Sequence, residues 1–393
     1  MGRDKAMTDI SIIVPIYHGM KYIDQMINQA ELAAEEYDGE IELLFVNDDP
    51  EEPILNELSS EKIVIRTYNS EYNCGIHGAR VKGLLLSSGK HILFLDQDDK
   101  ISPSYFKSQM KKLGDADAVV CQIVDNDKIY YNQSRRLEDC IRREFMTQTG
   151  NFIVSPGQVL LKREAISEFW TTNLLTCNGA DDWFLWICMM CEGREFKVNE
   201  ELLFWHVKHE ENASSDSVSM LNSISELHDK LRSNKCCTDK DLEGISKIVK
   251  DHEIRFIKER DKFLDMYVLL DKWMTLREQG RNISEYFHRK DCEHMAIYGR
   301  GRIGIRAAKE LMENGIDVCY FIDQNKQESP GSIKTITPGE LSEIKEPVLI
   351  TLVKEEAVEV WKILQQKGTV QVYFIEEVIG ILEEAEKGEK NIE

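Results

Sequence analysis

In the run His91-Ile-Leu-Phe-Leu-Asp96-Gln97-Asp98-Asp99, an apolar stretch meets three carboxylates within four positions. The apolar part predicts a strand buried on both faces of a parallel sheet, because only such strands are apolar without alternation. Unpaired charges cannot follow it into the core. Asp96, Asp98 and Asp99 therefore belong at the sheet's carboxyl edge, where open α/β sheets bind ligands. Three clustered carboxylates repel one another, and a divalent cation is the simplest way to reconcile them.

The same logic extends along the first half. Ser11–Ile16, Ile41–Val46 and Lys62–Arg66 predict three more strands. Apolar spacing at Ile23, Met26, Ile27 and Ala30 predicts a helix over 22–36, and a second helix begins near Gly75. Ala118–Val124 and Gly157–Lys162 predict strands, Phe145–Ile153 a loop, and an acidic turn at 178–182 opens a helix from Trp183. Strands alternating with helices predict an α/β fold with a mostly parallel sheet, closing near Ser215.

Residues 216–290 are charged and helical in pattern, and large residues such as Phe256, Phe263, Tyr267, Leu270 and Trp273 predict a packed helical bridge. A smaller α/β unit is expected over 291–393. It has a strand at Met295–Tyr298, a glycine turn, a helix over 305–314 and further strands at Val318–Asp323, Pro347–Thr351 and Val370–Phe374, with a frayed tail after Glu383.

The 393 residues suffice for two or more domains. A net charge of −21 argues against a nonspecific nucleic-acid binder and against a polybasic membrane anchor. It leaves anionic nucleotide ligands open, since a metal supplies local positive charge. No apolar run is long enough for a transmembrane helix, and the polar first residues lack a signal core. Ten scattered cysteines then predict a reduced, cytoplasmic setting. Cys188-Met-Met-Cys191 lies in an apolar helical run and is expected to fill a core rather than hold zinc.

Six motifs occur in order. They are Ile13-Val14-Pro15-Ile16-Tyr17-His18, Val46-Asn47-Asp48-Asp49-Pro50, Asn73-Cys74-Gly75-Ile76-His77-Gly78-Ala79-Arg80, Asp96-Gln97-Asp98, Gly179-Ala180-Asp181-Asp182-Trp183, and Trp205-His206 through His209 to Ser215. Alone, each has a plainer reading, such as a turn or a helix start capped by Asp. Together, over residues 10–215, they resemble the family 2 glycosyltransferases.

That resemblance implies an N-terminal GT-A (nucleotide-diphospho-sugar transferase) fold over 1–215. It implies a metal-dependent inverting glycosyltransferase that uses a nucleotide sugar, with a UDP-sugar foremost. Pro15, Tyr17, Asp48, Gly75, Arg80, Asp96, Gln97 and His209 would contact the nucleotide sugar. Asp48 would accept the N–H of a uracil-type base, and Arg80 would brace the acids or meet the diphosphate. Asp98, with Asp96 and His209, would hold Mn²⁺ or Mg²⁺. Asp182 would be the catalytic base, with Asp181 beside it. The acceptor would be a carbohydrate or a lipid-linked hydroxyl in surface polysaccharide or glycoconjugate synthesis, reached from the cytoplasm or the inner membrane face. A homodimer is compatible with this reading.

Two rival readings of the acidic cluster stay open, a nucleotidyltransferase acting on sugar phosphates and a non-catalytic scaffold. In the C-terminal unit, Gly299-x-Gly301-x-x-Gly304 precedes Asp323 as in a dinucleotide fingerprint. Its short length, with Arg300 and Arg302 in the turn, argues against NAD. The unit resembles half-Rossmann modules appended to sugar-transfer enzymes, which bind a ligand or serve packing or dimerisation.

Overall fold

The computed structural model describes residues 8–125, 128–207, 216–325, 333–341, 345–366, 368 and 371–390. The chain divides into two compact units, Met1–Phe256 and Ile257–Glu393.

The first unit contains strands β1 (Ile10–Ile16), β2 (Ile41–Asn47), β3 (Val64–Asn69), β4 (His91–Phe94), β5 (Lys100–Ile101), β6 (Ala118–Asp125), β7 (Lys128–Ile129), β8 (Val159–Lys162) and β9 (Phe196–His206). Its helices are α1 (Ile23–Glu35), α2 (Gly75–Leu86), α3 (Tyr105–Leu113), α4 (Arg143–Gln148), α5 (Glu168–Thr172), α6 (Asp181–Cys191) and α7 (Ser217–Leu231), and α8 (Asp239–Glu278) runs on into the second unit. The sheet order is β3-β2-β1-β4-β8-β6-β9-β5, with β7 paired to β6.

β1, β2, β3 and β4 are mutually parallel. β8 enters antiparallel to β4 and β6, so the sheet is mixed. All seven residues of β2 and six of the seven in β1 are buried, as helices on both faces demand. β1 lies between β2 and β4, and the chain leaves their carboxyl ends at Tyr17, Asp48 and Leu95. Three loops therefore diverge at one edge, where the acidic residues sit.

Three local expectations changed. The segment read as a loop at 145–153 begins inside helix α4. Met146 is fully buried there, its carbonyl accepts the Trp183 indole N–H at 3.1 Å, and Arg143 pairs with Asp241 at 2.5 Å. These contacts stabilise a helix too short to persist alone. The strand β9 was not anticipated. Its register against β6 shifts twice near Gln122, and Glu200 and Glu201 interrupt any alternation. The helix read from Trp183 starts at Asp181.

The helical stretch 216–290 is shared between cores. Ile224, Leu227, Leu231, Ile245 and Ile248 pack into the first unit's core, whereas Leu269, Trp273, Leu276, Ile283 and Phe287 belong to the second unit's.

The second unit adds α9 (Ser284–His288), β10 (His294–Tyr298), α10 (Arg302–Glu313), β11 (Asp317–Ile322), β12 (Thr335–Ile336), β13 (Val348–Ile350), α11 (Lys354–Gln366), β14 (Val372–Phe374) and α12 (Ile375–Lys390). The tail is thus helical to Lys390 rather than frayed from Glu383. The sheet is parallel throughout, in the order β12-β11-β10-β13-β14. It is a small Rossmann-like α/β unit and is more complete than half of a doubly wound sheet.

The glycine turn in this unit serves close packing. Gly299 has φ +98°, and a side chain at Gly304 would run into the Gly299 carbonyl. Both oxygens of Asp323 accept backbone N–H groups, from Arg300 at 2.6 Å and Asn325 at 2.9 Å. In a dinucleotide site that carboxylate takes the ribose hydroxyls. Here it holds its own loop, which disfavours an NAD reading.

Candidate active site

The carboxyl edge of the first sheet opens into a cavity of about 750 Å³. Pro15, Tyr17, Asp48, Gly75, Arg80, Asp96, Gln97, Asp98, Asp181 and Asp182 all line it. The described residues expected at the nucleotide-sugar site thus meet in one place, from three strand-end loops and the starts of two helices. His209 lies outside the described residues.

Arg80 ties the two acidic motifs together. It sits on α2 and is almost wholly buried. One guanidinium nitrogen bonds Asp181 at 2.5 Å and another bonds Asp96 at 2.5 Å. Burial alone would lower its proton affinity, but the Asp181 and Asp96 carboxylates raise it above the ordinary arginine value. The fork geometry of a guanidinium suits such a two-sided bridge.

Asp182 occupies a different environment. Its side chain accepts the Trp183 backbone N–H at 2.6 Å and the Asn151 amide at 3.2 Å. Burial, and then the neighbouring Asp181 charge, push its carboxyl up to about 7, against the opposing pull of Arg80. The capping role weighed for this pair does not apply. The N-cap of α6 is Ala180, with no side-chain cap bond, and both acids stand in the first turn.

Asp48 is buried, and its Oδ1 accepts the backbone N–H and the thiol of Cys74, both at 2.9 Å. Its Oδ2 carries no hydrogen bond among the described residues. Gln97 makes a reciprocal pair with the backbone of Tyr17. Oε1 accepts the Tyr17 N–H at 3.0 Å and Nε2 donates to the Tyr17 carbonyl at 3.1 Å. This clamps the first turn to the Asp96–Asp98 loop. His18, in the same turn, adopts φ +49°, a backbone conformation seldom adopted by a side-chain-bearing residue, and its Nδ1 lies 2.8 Å from a carboxylate oxygen of Asp49.

Asp99 also lines the cavity but is almost wholly buried. It accepts from Ser155 at 2.8 Å and from the Val207 N–H at 3.1 Å. Burial, then Asp96 and Asp98, hold its carboxyl well above the usual range. It anchors the end of β9 to the acidic loop. His77, also buried, stacks on Trp170 and accepts from the Leu175 N–H through Nδ1 at 2.9 Å. Burial pushes it down to about 4, so its role is neutral and structural.

Asn151, Asn178 and Asp125 escaped the sequence reading. Asn151 holds Asp182, Asn178 accepts the Ile76 N–H at 3.2 Å beneath Gly75, and Asp125 orients His206 at 3.0 Å. Each stands in a loop or at a strand end with no local pattern to mark it.

The donor set at the edge is hard carboxylate oxygen, which suits Mg²⁺ or Mn²⁺. Asp98 lines the cavity, while Asp96 spends one oxygen on Arg80. No group of three His, Cys, Asp or Glu side chains among the described residues is placed to hold a metal by itself. Cys188 and Cys191 are buried free thiols, and the Cys191 sulfur lies 3.2 Å from that of Cys237.

The family described as glycosyl transferase family 2 matches residues 11–170. The minor teichoic acid biosynthesis protein GgaB of Bacillus subtilis (strain 168) is 32% identical over 103 residues, which cover 25% of this chain and 11% of that protein. EpsH of the same organism is 30% identical over 116 residues, 28% of this chain and 33% of that protein. The chain thus spans well under half the length of either relative. S. aureus TarS 1–349, solved with UDP-GlcNAc, aligns over 63% of this chain and 73% of its own, at 16% identity and a TM-score of 0.46. No helix among the described residues is long and apolar enough to cross a membrane. Residues 11–170, which carry most of the mixed sheet and most of the cavity, thus match glycosyl transferase family 2, the family that the six motifs resemble.

Proposed function

We propose that the cavity binds a nucleotide-diphosphate sugar, a UDP-sugar foremost, and transfers the sugar with inversion to a hydroxyl acceptor. The observation that carries the reading is the pairing, in one cavity, of Asp98 at the sheet edge with Asp182, whose carboxyl is pushed up to about 7 by burial and the Asp181 charge.

The base of the nucleotide lies over the turn at Pro15 and Tyr17, where the unpartnered Oδ2 of Asp48 accepts an imide N–H. A carboxylate accepts only, so it favours a base that donates at that position. Gln97 keeps the turn in place and Gly75 lets the backbone approach the ligand. Asp98 would hold a divalent cation there, which would supply the positive charge that a departing diphosphate requires. Asp182 takes the proton of the acceptor hydroxyl as its oxygen attacks the anomeric carbon. The new carbon–oxygen bond forms as the bond to the phosphate breaks, with no covalent intermediate, so the configuration inverts. Arg80 holds Asp181 and Asp96 as one rigid unit. An acceptor hydroxyl in surface-polymer synthesis accords with the likeness of the matched stretch to GgaB, a minor teichoic acid biosynthesis protein.

A donor-hydrolysis screen across UDP-, GDP- and dTDP-sugars with Mn²⁺ tests the proposal. We expect slow release of UDP from at least one UDP-sugar. Silence with every sugar nucleotide, combined with pyrophosphate release from a nucleoside triphosphate and a sugar phosphate, would establish a nucleotidyltransferase instead.

A further inference from the structure

Helix α8 packs one face into the core of the second unit through Leu269, Trp273 and Leu276. The Trp273 indole bonds Glu310 at 3.1 Å, which fixes the helix's rotation there. Two exposed pairs, Lys262 with Glu356 and Lys354 with Asp265, secure its flank. The opposite face is not polar. Ile257, Phe263, Leu264, Tyr267, Val268 and Met274 are between 44 and 66% exposed, a ridge of large apolar side chains on an otherwise charged helix. Scattered apolar residues need no explanation, but a continuous ridge marks an interaction surface.

The spacing of this ridge specifies its partner. Ile257, Arg260, Leu264, Tyr267, Asp271 and Met274 recur at alternating intervals of three and four, the seam of a two-helix coiled coil. Four seam positions are apolar, and the other two carry opposite charges. The pattern is self-complementary about a point between Asp265 and Met266. If a second α8 runs antiparallel across it, Ile257 meets Met274, Leu264 meets Tyr267, and Arg260 meets Asp271, each pair occurring twice. Phe263 and Val268 flank the centre and close over it. Arg260 and Asp271 are eleven residues apart on a helix, about 16 Å along its axis, so they cannot pair within one chain. Among the described residues of the single chain, Arg260 bonds its neighbour Asp261, at 2.7 Å.

We propose that this face of α8 is the interface of a homodimer, in which two copies of the chain pair α8 antiparallel through residues 257–274. Six side chains of this size bury on the order of 100 Å² each per copy, so the seam removes on the order of 1,200 Å² in total, the lower end of specific interfaces. The dimer is accordingly of moderate affinity and forms in a concentration-dependent way. The two Arg260–Asp271 contacts select the antiparallel register, because a parallel pairing sets Arg260 against Arg260 and Asp271 against Asp271.

Sedimentation equilibrium of the full chain from about 1 to about 100 µM, a range suited to micromolar dissociation constants, reads the association directly. The wild type is expected to pass from monomer to dimer. Arg260→Asp and Asp271→Arg singly should each weaken the dimer at least about tenfold, since each creates two like-charge contacts. The double swap should return to within about threefold of wild type. Leu264→Glu should leave a monomer. These positions are exposed, and unchanged far-UV circular dichroism verifies that the variants fold. A wild type that stays monomeric throughout would overturn the proposal. So would a single swap without effect, a double swap as weak as either single, or a Leu264→Glu protein that still dimerises.

Discussion

Asp182→Asn is expected to lower the transfer rate by roughly 10²–10⁴-fold, the usual worth of a general base, while UDP affinity stays within about twofold. The amide keeps the shape of the side chain and can still accept the Trp183 N–H, but it cannot take a proton at working pH. The wild-type pH profile supplies a second signature. The Asp182 carboxyl sits at about 7 because it is buried and stands next to the Asp181 charge. Below that pH it is protonated and cannot act as a base. The rate of the free enzyme should therefore fall about tenfold per pH unit below the midpoint and level off above it. Asp182→Asn should lose this limb. A variant that retains the full rate, or a wild-type profile flat from pH 5 to pH 8, would remove Asp182 from the role.

Arg80→Ala should be the most destabilising single change at the site. It deletes the shared partner of a nearly inaccessible Asp181 and a partly exposed Asp96. Breaking a buried ion pair from one side costs about 3–5 kcal/mol, because the remaining charge stays desolvated. For a unit of this size that corresponds to a midpoint drop on the order of 10 °C in thermal unfolding. Arg80→Lys should recover little, since one ammonium cannot reach both carboxylates with the geometry of a guanidinium fork. Activity should fall beyond the loss of folded protein, because Asp96 and the start of α6 are then no longer fixed to each other. A thermal midpoint within about 2 °C of wild type would contradict the bridging role, since shifts of that size correspond to less than about 1 kcal/mol.

The parts of the site legible in the sequence share one physical cause. β1, β2 and β4 are largely buried on both faces, so each reads as a mainly apolar run, and the polar residues that follow it mark the sheet edge. Asp48, Asp96 and Asp98 could be placed from that break alone. Asp182 was legible because two acids open an apolar helix. The residues that escaped are held by distant partners. Asn151 matters through Asp182, 31 positions on, and Asp125 through His206, 81 positions on. No local period encodes such pairs. The strand β9 was hidden for a related reason, since its irregular register against β6 erases the alternation that marks a strand. The helical stretch after residue 216 was visible as helix, but its division between two cores depends on which faces meet which sheets. Gln97 illustrates a subtler limit. Its place between two aspartates suggested ligand contact, while its amide is spent on both backbone groups of Tyr17. Sequence position put it at the site, and the hydrogen-bond geometry gave it a clamping task.

The proposed site at the carboxyl edge of the first sheet requires a nucleoside diphosphate to bind through a cation on Asp98. Calorimetric titration of UDP into wild type and Asp98→Ala, each with and without Mn²⁺, tests it most directly. Mn²⁺ should tighten UDP binding to wild type by at least about tenfold, some 1.4 kcal/mol, and leave binding to Asp98→Ala unchanged. Equal UDP affinity in both proteins under both conditions would contradict it.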